Sequence, residues 1–370
     1  MYNPKFTITN DILLSVGQIE AARQIIAQAP LVPIWERKFK TQAQTRSAHY
    51  ATHIEGNPLS LEEAMALIGS SSRQSEEREA QEIINYRRLM ESFDELLPQN
   101  GEKSKFRSGP FPNPLIRLFS SPKDINITLD LIKEVNAIIV YNLVPKEEQG
   151  SVRTVEVTTR HSHTGEIGFK PPAPKDVLPQ LKNFFSWLEC SYVSIHGIIR
   201  SGIIQAELTR IHPFAEGNGR TARALSTFSL YLDGYDIKRF FCLDEFYDQD
   251  ADAYFAAIRS YQSPLDDLTL WLEYFTHGLA SEFSQVSQRV SSLSRDQKLR
   301  RRVGQVRLNA RQEQIVNYLE DHHDIANKDW QKLFPLVSDD SILRDLKDLV
   351  DKKVIVKKGR TKGAYYELKV

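Results

Sequence analysis

The sequence is poor in cysteine, carries no net charge and has no long apolar run. Its 370 residues include only two cysteines, too few for the disulfide frameworks of small secreted domains, so Cys190 and Cys242 are predicted to be reduced core residues. The 48 basic and 48 acidic residues cancel, which leaves no general attraction to nucleic acid or to a membrane. Because neither a signal peptide nor an apolar run of about 20 residues is found, we expect a cytoplasmic protein that does not enter a membrane.

The length and the local composition predict more than one domain. A chain of 370 residues is long enough for one large domain with a sizeable core and one small domain. The stretch at 291–308 is rich in serine and arginine and is predicted to be a linker. Before it we expect an N-terminal helical region at 1–100 and a core at 101–290, and after it a small domain at 309–370.

Helical periodicity dominates the chain, which predicts a mainly α-helical fold. Apolar residues recur three and four positions apart over roughly 9–28, 33–54, 59–70, 75–96, 126–143, 175–190, 192–211, 219–233 and 268–290. A further helix is predicted at 250–261. The stretch from Ile195 to Ile211 has one side without polar residues, which predicts a buried central helix that ends just before His212.

One short run carries more chemistry than the rest of the chain. From His212 to Arg223 the sequence reads H-P-F-A-E-G-N-G-R-T-A-R. Gly217 and Gly219 permit positive φ and a close approach of the backbone, so that several N–H groups can point at one spot. The helix that starts there adds its own unpaired N–H groups and the positive end of its dipole. The run therefore predicts a site for a polyphosphate.

The polar side chains of this run suit phosphoryl-transfer chemistry. Neutral His212 could accept a proton from an attacking hydroxyl, and Glu216 is a hard oxygen ligand suited to Mg²⁺. Asn218, Arg220 and Arg223 could hold and neutralise phosphate oxygens. The alternative is a helix–loop–helix corner with a capping asparagine and solvated charges. Histidine, glutamate and the glycines at fixed spacing favour the phosphate site.

The same run resembles the signature of the Fic family, H-P-F-x-[D/E]-G-N-G-R-x-x-R, and matches it at every fixed position. The resemblance implies a Fic-like helical bundle that transfers a nucleoside monophosphate, usually AMP from Mg-ATP, to a Ser, Thr or Tyr hydroxyl of a target protein. It implies His212 as the base, Glu216 on the magnesium ion and Arg223 on the terminal phosphate. The remaining phosphate contacts would come from Gly217, Asn218, Gly219 and Arg220.

A second informative stretch reads His53-Ile54-Glu55-Gly56-Asn57-Pro58. It lies at the end of a helix predicted at about 34–56, where Gly56 is a natural stop. A carboxylate in the last turn meets the negative end of the helix dipole, which is unfavourable. Glu55 therefore needs a compensating partner, and an arginine is the obvious candidate.

This stretch resembles the inhibitory helix of Fic proteins, [S/T]-x-x-x-E-[G/N]. The resemblance implies that Glu55 pairs with Arg223, keeps this arginine from the terminal phosphate and so restrains the reaction. Ala51 stands where the pattern has Ser or Thr, and Thr52 follows one position later. The strength of the inhibition is therefore left open.

Between the two motifs, residues 151–169 combine a valine-rich stretch with a glycine-containing turn, which predicts a β-hairpin. In Fic proteins a hairpin preceded by an arginine, here Arg153, and followed by paired prolines is the flap that holds the target segment by strand addition. A plain surface hairpin is the alternative. His161 and His163 are two ligand types without partners near them in the sequence, which argues against a zinc site.

The end of the chain predicts a small domain of three helices and two strands. The helical patterns lie at about 310–320, 326–334 and 338–351, and the strands at 354–358 and 364–368. This order resembles a winged helix-turn-helix domain. The presumed recognition helix begins with Asp339 and Asp340, and Asp345 and Asp348 follow. Carboxylates that face a polyanion weaken binding, so DNA binding through 309–370 is less favoured than protein contact or dimerisation.

Three functions therefore stay open. The first is AMP transfer restrained by Glu55, and the second is the reverse reaction, in which Glu55 and water would hydrolyse AMP from a modified target. The third is a regulatory protein with little catalysis, against which the intact His212 and Glu216 speak. Tyr254 stands where the family usually carries an aromatic near the adenine pocket, although a packed core tyrosine explains it equally well. The target, the nucleotide donor and the oligomeric state, a homodimer included, are not fixed by the sequence.

Overall fold

The structure is a computed structural model, and α-helices make up most of what it describes, so the predicted mainly α-helical class is confirmed. The described residues are 2–29, 33–69, 74–97, 113–119, 124–160, 167–235, 238–263, 265–300, 308–322, 324–335, 337–359 and 364–368. The chain divides into two compact units.

The first unit contains a helical bundle with one short hairpin. The elements up to the hairpin are α1 (Asn10–Gln28), α2 (Pro33–His53), α3 (Leu61–Gly69), α4 (Arg78–Leu96), a 3₁₀ turn (Ile116–Leu118), α5 (Leu129–Ile139), β1 (Thr159–Arg160) and β2 (Ile167–Phe169). The hairpin is followed by α6 (Pro174–Ser194), α7 (Gly197–Ile211), α8 (Asn218–Leu232), α9 (Leu243–Gln249), α10 (Ala251–Arg259) and α11 (Thr269–Arg300).

Helix α7 is the buried centre of this bundle, as its apolar sequence predicted. Thirteen of its 15 residues are buried. On one side the Ser201 hydroxyl donates to the Ser226 carbonyl of α8 at 2.7 Å, and on the other the Trp271 indole N–H of α11 donates to the Gly202 carbonyl at 2.8 Å. Because helices on both sides bond to it, α7 holds the loop that follows it in a fixed position.

Helices α6 and α9 differ from the prediction. The apolar pattern placed a break at about 191, but α6 continues to Ser194 and α7 begins at Gly197. Helix α9 was not predicted, because a helix of seven residues spans about two turns and is too short for a periodicity to stand out.

The predicted inhibitory helix at about 34–56 is too long at its C-terminal end. Helix α2 ends at His53, and Glu55 lies in the turn that follows. In this turn the N–H of Glu55 donates to the Thr52 carbonyl at 3.0 Å, and Gly56 adopts a positive φ of 99°, which glycine accepts without strain. The turn therefore projects Glu55 beyond the helix, where its side chain can reach another element.

The predicted hairpin exists, but its strands are shorter than the sequence suggested. β1 and β2 pair antiparallel, with Thr159 opposite Phe169. The valine-rich residues 152–157 lie outside the strands, which corrects the predicted span of 151–170. His161 and His163 lie outside the described residues.

The two units do not follow the predicted boundaries. The first unit comprises 1–27 and 39–287, and the second comprises 28–38 and 288–370. The linker predicted at 291–308 is in part helical, since α11 continues to Arg300. Serine and arginine are acceptable in a helix, so the composition of this stretch did not show that a helix enters it.

The second unit has a small apolar core of its own, formed by residues such as Ile315, Trp330 and Leu346. Its elements beyond α11 are α12 (Ala310–His322), β3 (Asp324–Ala326), α13 (Asn327–Leu333), α14 (Asp339–Asp351), β4 (Ile355–Lys358) and β5 (Tyr365–Leu368). The three strands form an antiparallel sheet in the order β3-β5-β4, of which β3 was not predicted. The winged-helix assignment stays a prediction.

Two carboxylates of α14 accept hydrogen bonds from residues at or just before the start of α12. Asp345 is buried and accepts hydrogen bonds from Asn309 and Arg311 at 2.9 and 2.7 Å. Asp348 accepts one from Gln312 at 2.6 Å. Both acids bond to the N-terminal end of α12 or to the residue before it, and whether the C-terminal unit binds DNA stays a prediction.

The two cysteines, both predicted to lie in the core, differ in their exposure. Cys242 is buried, as predicted, but Cys190 is exposed, because it lies on the outer side of α6. Among the described residues, none of the helices combines the length and the apolar character needed to cross a membrane.

Candidate active site

The loop from His212 to Gly217 joins α7 to α8. His212 has a left-handed backbone, with φ 52° and ψ 60°, which few residues with a side chain adopt. Asn218 closes the loop, because its Oδ1 accepts from the Phe214 N–H and its Nδ2 donates to the Phe214 carbonyl, both at 2.8 Å. The sequence placed the Asn218 amide on a phosphate. That amide also holds the loop, and the second hydrogen of Nδ2 and the backbone N–H remain as donors for an anion, so the phosphate contact stays a prediction.

His212 is half-buried and lines a cavity. Its Nδ1 lies 3.2 Å from the Thr209 carbonyl oxygen, which can only accept, so Nδ1 carries the hydrogen and Nε2 keeps its lone pair. Burial is the largest cause that lowers the pKa of His212, to about 4, and the nearby charge of Arg153 acts in the same direction. The imidazole is therefore neutral at neutral pH, the form that can accept a proton.

Arg153 fixes the backbone on both sides of His212. Its buried guanidinium donates from Nε to the His212 carbonyl at 2.7 Å and from Nη2 to the Pro172 carbonyl at 2.6 Å. Its own N–H donates to the Pro213 carbonyl at 2.9 Å. The segment that follows the hairpin and the histidine loop are thus held by one side chain, which the sequence singled out only through the family resemblance.

The first turn of α8 brings backbone close to another element. Gly217 has a positive φ of 77° and is the N-cap of the helix. A Cβ at Gly219 would lie 2.3 Å from Oε1 of Glu55, a distance that real Cβ atoms do not reach. The carboxylate of Glu55 can therefore take this position only because residue 219 has no side chain. The sequence predicted a close approach at Gly219, and the group that approaches is the carboxylate of Glu55.

Glu55 bridges the two arginines of α8. Its Oε2 accepts from Arg220 Nε and its Oε1 from Arg223 Nη2, both at 2.9 Å. Burial opposes the charged form of Glu55, but the guanidinium groups of Arg223 and Arg220 outweigh it and leave the pKa below its ordinary value. A carboxyl with a lowered pKa stays ionised above that value, so this bridge is intact at neutral pH and is lost only on acidification. The sequence predicted the pair with Arg223 but not the pair with Arg220.

Arg223 is held from three directions. Besides Glu55, it donates from Nε to Asp244 at 2.9 Å and from Nη2 to the Ala51 carbonyl at 2.6 Å. The Thr52 hydroxyl bonds instead to carbonyls of its own helix, those of Ala48 and His49. Ala51 has no side-chain hydroxyl, and it contacts Arg223 through its backbone carbonyl. Arg223 and the buried Asp244 lie side by side, and burial raises the pKa of Asp244 to about 6.

Glu216 has a cationic neighbour that the sequence did not suggest. Arg78 of α4 donates from Nη2 to Glu216 Oε1, and Arg220 Nη2 lies 3.5 Å from the same oxygen. About half of the Arg78 side chain is exposed and 30% of the Glu216 side chain. The predicted magnesium ligand therefore lies at the mouth of the cavity, paired with a side chain that can move away into solvent.

The donor set at Glu216 fits a magnesium ion that arrives with a nucleotide. Mg²⁺ commonly takes one or two protein carboxylates, with phosphate oxygens and water as its other ligands. In the part of the chain that the structure describes, no three His, Cys, Asp or Glu side chains cluster as metal ligands. Glu216 would therefore be the protein ligand, and phosphates would supply much of the remaining coordination.

A cavity of about 340 Å³ opens beside this group. The site residues at its edge are Glu55, His212, Glu216, Gly217, Asn218, Gly219 and Arg223, and its apolar wall includes Tyr254, Phe255, Ile258 and Tyr261. Tyr254 lines the cavity and is also packed against Tyr247, with ring centroids 4.5 Å apart, and its place near an adenine pocket stays a prediction. The cavity thus has an apolar part of the kind that accepts a base and a cationic part of the kind that accepts phosphates.

One buried nitrogen of Arg220, a residue that is not among those lining the cavity, lacks a hydrogen-bond acceptor in the described part of the chain. The Nη1 of Arg220 is buried and has no hydrogen-bond acceptor among the described residues, and its carboxylate neighbour Glu82 lies 3.6 Å away. A buried guanidinium N–H without an acceptor is unfavourable, so an additional acceptor at this position would stabilise it.

The sequence is similar to a family model and to curated proteins. Residues 126–230 match the model of the Fic/DOC family. Protein adenylyltransferase fic-1 of Caenorhabditis elegans is 30% identical over 188 residues, 50% of this chain and 32% of that protein. Protein adenylyltransferase Fic of Drosophila willistoni is 26% identical over 240 residues, 61% of this chain and 41% of that protein. The chain therefore spans less than half of the length of these curated relatives.

Among solved structures, a Fic family protein from Desulfovibrio desulfuricans G20 is similar with a TM-score of 0.65 and 18% identity, covering 99% of this chain and 98% of that one. Fic-1 (aa134 - 508) from C. elegans is similar with a TM-score of 0.54 and 22% identity, covering 76% and 73%. At such identities the likeness concerns the fold. With the motif and the matched region 126–230, this part of the chain is similar to the Fic/DOC family.

Proposed function

We propose that this protein transfers AMP from Mg-ATP to a Ser, Thr or Tyr hydroxyl of a target protein, and that Glu55 restrains the transfer. The observation that supports this most is the bridge from Glu55 to Arg220 and Arg223 at the cavity that His212 lines. A carboxylate there occupies the two cations that a triphosphate would need. We propose the cytoplasm, where ATP is supplied, as its compartment.

The proposed reaction begins at His212. The target hydroxyl oxygen attacks the α-phosphorus as His212 Nε2 takes the hydroxyl proton, and the bond from the α-phosphorus to the bridging oxygen breaks. Pyrophosphate leaves, and the target carries a phosphodiester-linked AMP. The hydrogen bond from Nδ1 to the Thr209 carbonyl orients the ring for this step and stabilises the imidazolium that forms.

The start of α8 would hold the triphosphate. Its backbone N–H groups and the positive end of its dipole attract phosphate oxygens, and Arg220 and Arg223 neutralise charge that develops on the leaving group. A magnesium ion on Glu216 would shield the phosphates and stabilise the departing pyrophosphate. The paired strands β1 and β2 would hold the target segment beside His212 by strand addition.

The reverse reaction has less support. For hydrolysis Glu55 would have to activate water, but both of its oxygens accept hydrogen bonds from arginines and its pKa is lowered, which makes it a weak base. AMP release from a previously adenylylated target, compared between wild type and Glu55→Gly, separates the two reactions. Dimerisation and DNA contacts of the C-terminal unit are further proposals that the transfer reaction does not require.

The position of a radioactive label tests the proposed reaction directly. With ATP labelled at the α-phosphate, the Glu55→Gly protein should carry label on itself or on a target. With ATP labelled at the γ-phosphate, it should carry none, since the γ-phosphate leaves in pyrophosphate. Label retained from the γ-position would indicate phosphorylation instead, and the proposal would be abandoned.

The state of His212 gives a prediction about pH. Burial lowers its pKa to about 4, so the ring should stay neutral down to about pH 5, well below the ordinary histidine value of about 6.5. Proton–carbon NMR of a histidine-labelled chain measures this, and the resonance absent from the His212→Ala spectrum identifies the residue. A midpoint near that ordinary value would show that burial does not act as argued.

The pair between Arg78 and Glu216 predicts an effect on magnesium. In Arg78→Ala the carboxylate is free to bind metal, so half-maximal labelling should need about two- to fivefold less Mg²⁺, the size expected for an ion pair that is partly exposed. Labelling by Glu55→Gly and by Glu55→Gly/Arg78→Ala, titrated with Mg²⁺, gives the comparison. The matched control is Arg117→Ala, which removes another exposed arginine–glutamate pair. Equal magnesium requirements in all three would show that Arg78 does not compete with the metal.

A further inference from the structure

From Leu13 onward, helix α1 turns an uncharged side toward solvent, whereas Asp11 in its first turn is exposed and charged. The exposed residues from position 13 to position 28 are Leu13, Leu14, Gly17, Gln18, Ala21, Gln24, Ile25, Ala27 and Gln28. None of them is charged, although 26% of the whole chain is. The large ones are well exposed, with Leu13 at 63%, Leu14 at 64% and Ile25 at 47%.

The opposite side of α1 is buried in the core of the first unit. Ile12, Ser15, Ile19, Ala22 and Ile26 are its buried residues, and the two charged residues of the stretch, Glu20 and Arg23, are half-buried and pair with each other at 3.2 Å. A helix that buries one apolar side normally turns charges outward. An outer side with three exposed large aliphatic residues and no charge is instead typical of a contact surface.

The exposed residues form a ridge that is symmetric about its centre. Leu13, Gly17, Ala21 and Ile25 are spaced four apart, so they form one ridge along the helix. Large residues stand at the ends and small ones in the middle. A Cβ at Gly17 would meet no atom of its own chain within 4 Å, so another backbone could approach closely there.

We propose that this face pairs with the same face of a second copy of the chain. The two α1 helices run antiparallel about a two-fold axis near Ile19, with Leu13 opposite Ile25 and Gly17 opposite Ala21 in each half. The small residues meet at the crossing and let the axes approach, while the aliphatic ends pack against each other. A partner of opposite charge has nothing to bind on this face, whereas a second uncharged copy meets no repulsion.

Two further large aliphatic residues are exposed near the start of α1. Ile8 is 51% and Leu270 is 66% exposed, and the N–H of Thr7 donates to the Thr269 hydroxyl at 2.8 Å, which brings the segment before α1 beside the start of α11. A stable interface needs about 800 Å² on each partner. The exposed aliphatic residues of α1 and of this flanking segment are the surface from which such an interface would be built.

A charge placed at the crossing tests the proposal. In Ala21→Glu, two carboxylates would meet the partner helix at its closest point, and we expect at least about a hundredfold weaker dimerisation. Ala27→Glu is the matched control, since Ala27 is also exposed but points about a third of a turn away. Sedimentation velocity over a range of concentrations should show a dimer for wild type and for Ala27→Glu, and a monomer for Ala21→Glu. A wild-type chain that stays monomeric throughout would overturn the proposal.

Cysteine cross-linking tests the register without disturbing the fold. With the exposed Cys190 replaced by Ser, chains carrying Gly17→Cys are mixed with chains carrying Ala21→Cys and oxidised. The antiparallel register predicts disulfide-linked dimers in the mixture and few in either variant alone. Efficient linkage of Gly17→Cys to itself would indicate a parallel pair, and equal linkage in all three samples would indicate random collision. Either result contradicts the proposed pairing.

Discussion

Replacing Glu55 by glycine should raise ATP-dependent self-labelling by about 10- to 100-fold. The wild-type carboxylate holds Arg220 and Arg223 through two hydrogen bonds of 2.9 Å. A nucleotide must break this bridge before its phosphates can reach the arginines. Charge-assisted hydrogen bonds contribute about 1.5–3 kcal/mol each, and part of this is returned when phosphate oxygens replace the carboxylate. The expected increase corresponds to the remaining difference of about 1.4–2.8 kcal/mol.

The increase should be specific to the position. Glu62→Gly makes the same chemical change at an exposed carboxylate of α3 and should leave labelling at the wild-type level. Glu55→Gln keeps the shape but removes the charge, so it should give an intermediate rate. Initial rates of label incorporation at saturating Mg²⁺ provide the measurement. Equal rates in wild type and Glu55→Gly would remove the inhibitory role of Glu55.

Replacing His212 by alanine in the Glu55→Gly protein should reduce transfer by about 10²- to 10⁴-fold, the range expected for loss of a general base. Nucleotide affinity should change little, because His212 hydrogen-bonds to a backbone carbonyl of its own helix and the cations of the site are arginines. Single-turnover labelling measures the transfer, and isothermal titration calorimetry measures ATP binding. The two measurements together separate a loss of chemistry from a loss of binding.

His277→Ala is the matched control, since His277 is exposed on α11. It should label at the rate of its Glu55→Gly parent. A His212→Ala protein that labels at a similar rate would mean that the hydroxyl loses its proton elsewhere. A His212→Ala protein that no longer binds ATP would instead assign the histidine a structural role.

The sequence predicted the parts of the site that lie close together in the chain. The residues from His212 to Arg223 form one loop and one helical turn, so their spacing determines their geometry almost completely. The buried central helix was visible for a similar reason, because thirteen apolar or inward-facing positions in α7 leave few alternatives. Glu55 lies far away in the chain, and its approach to Arg223 was available only through the resemblance to a family.

Contacts between distant charged residues could not be predicted. Arg78 and Asp244 look like ordinary surface charges in the sequence, and only the packing of α4 and α9 against the site brings them to Glu216 and Arg223. The same limitation applies to Asp345, because the sequence did not indicate that it is buried beside Asn309 and Arg311. The charge of a residue does not reveal whether its side chain points to the solvent or to the interior when an oppositely charged partner such as Arg311 is available there.

Tandem mass spectrometry of the Glu55→Gly protein after incubation with each nucleoside triphosphate in turn tests the central claim most directly. With Mg-ATP we expect a peptide that carries AMP on a Ser, Thr or Tyr hydroxyl, pyrophosphate in the solution, and no such peptide from the Glu55→Gly/His212→Ala protein. If no triphosphate yields a nucleotide-bearing peptide, either on the chain or on added cellular protein, while ATP still binds, the site does not perform this transfer.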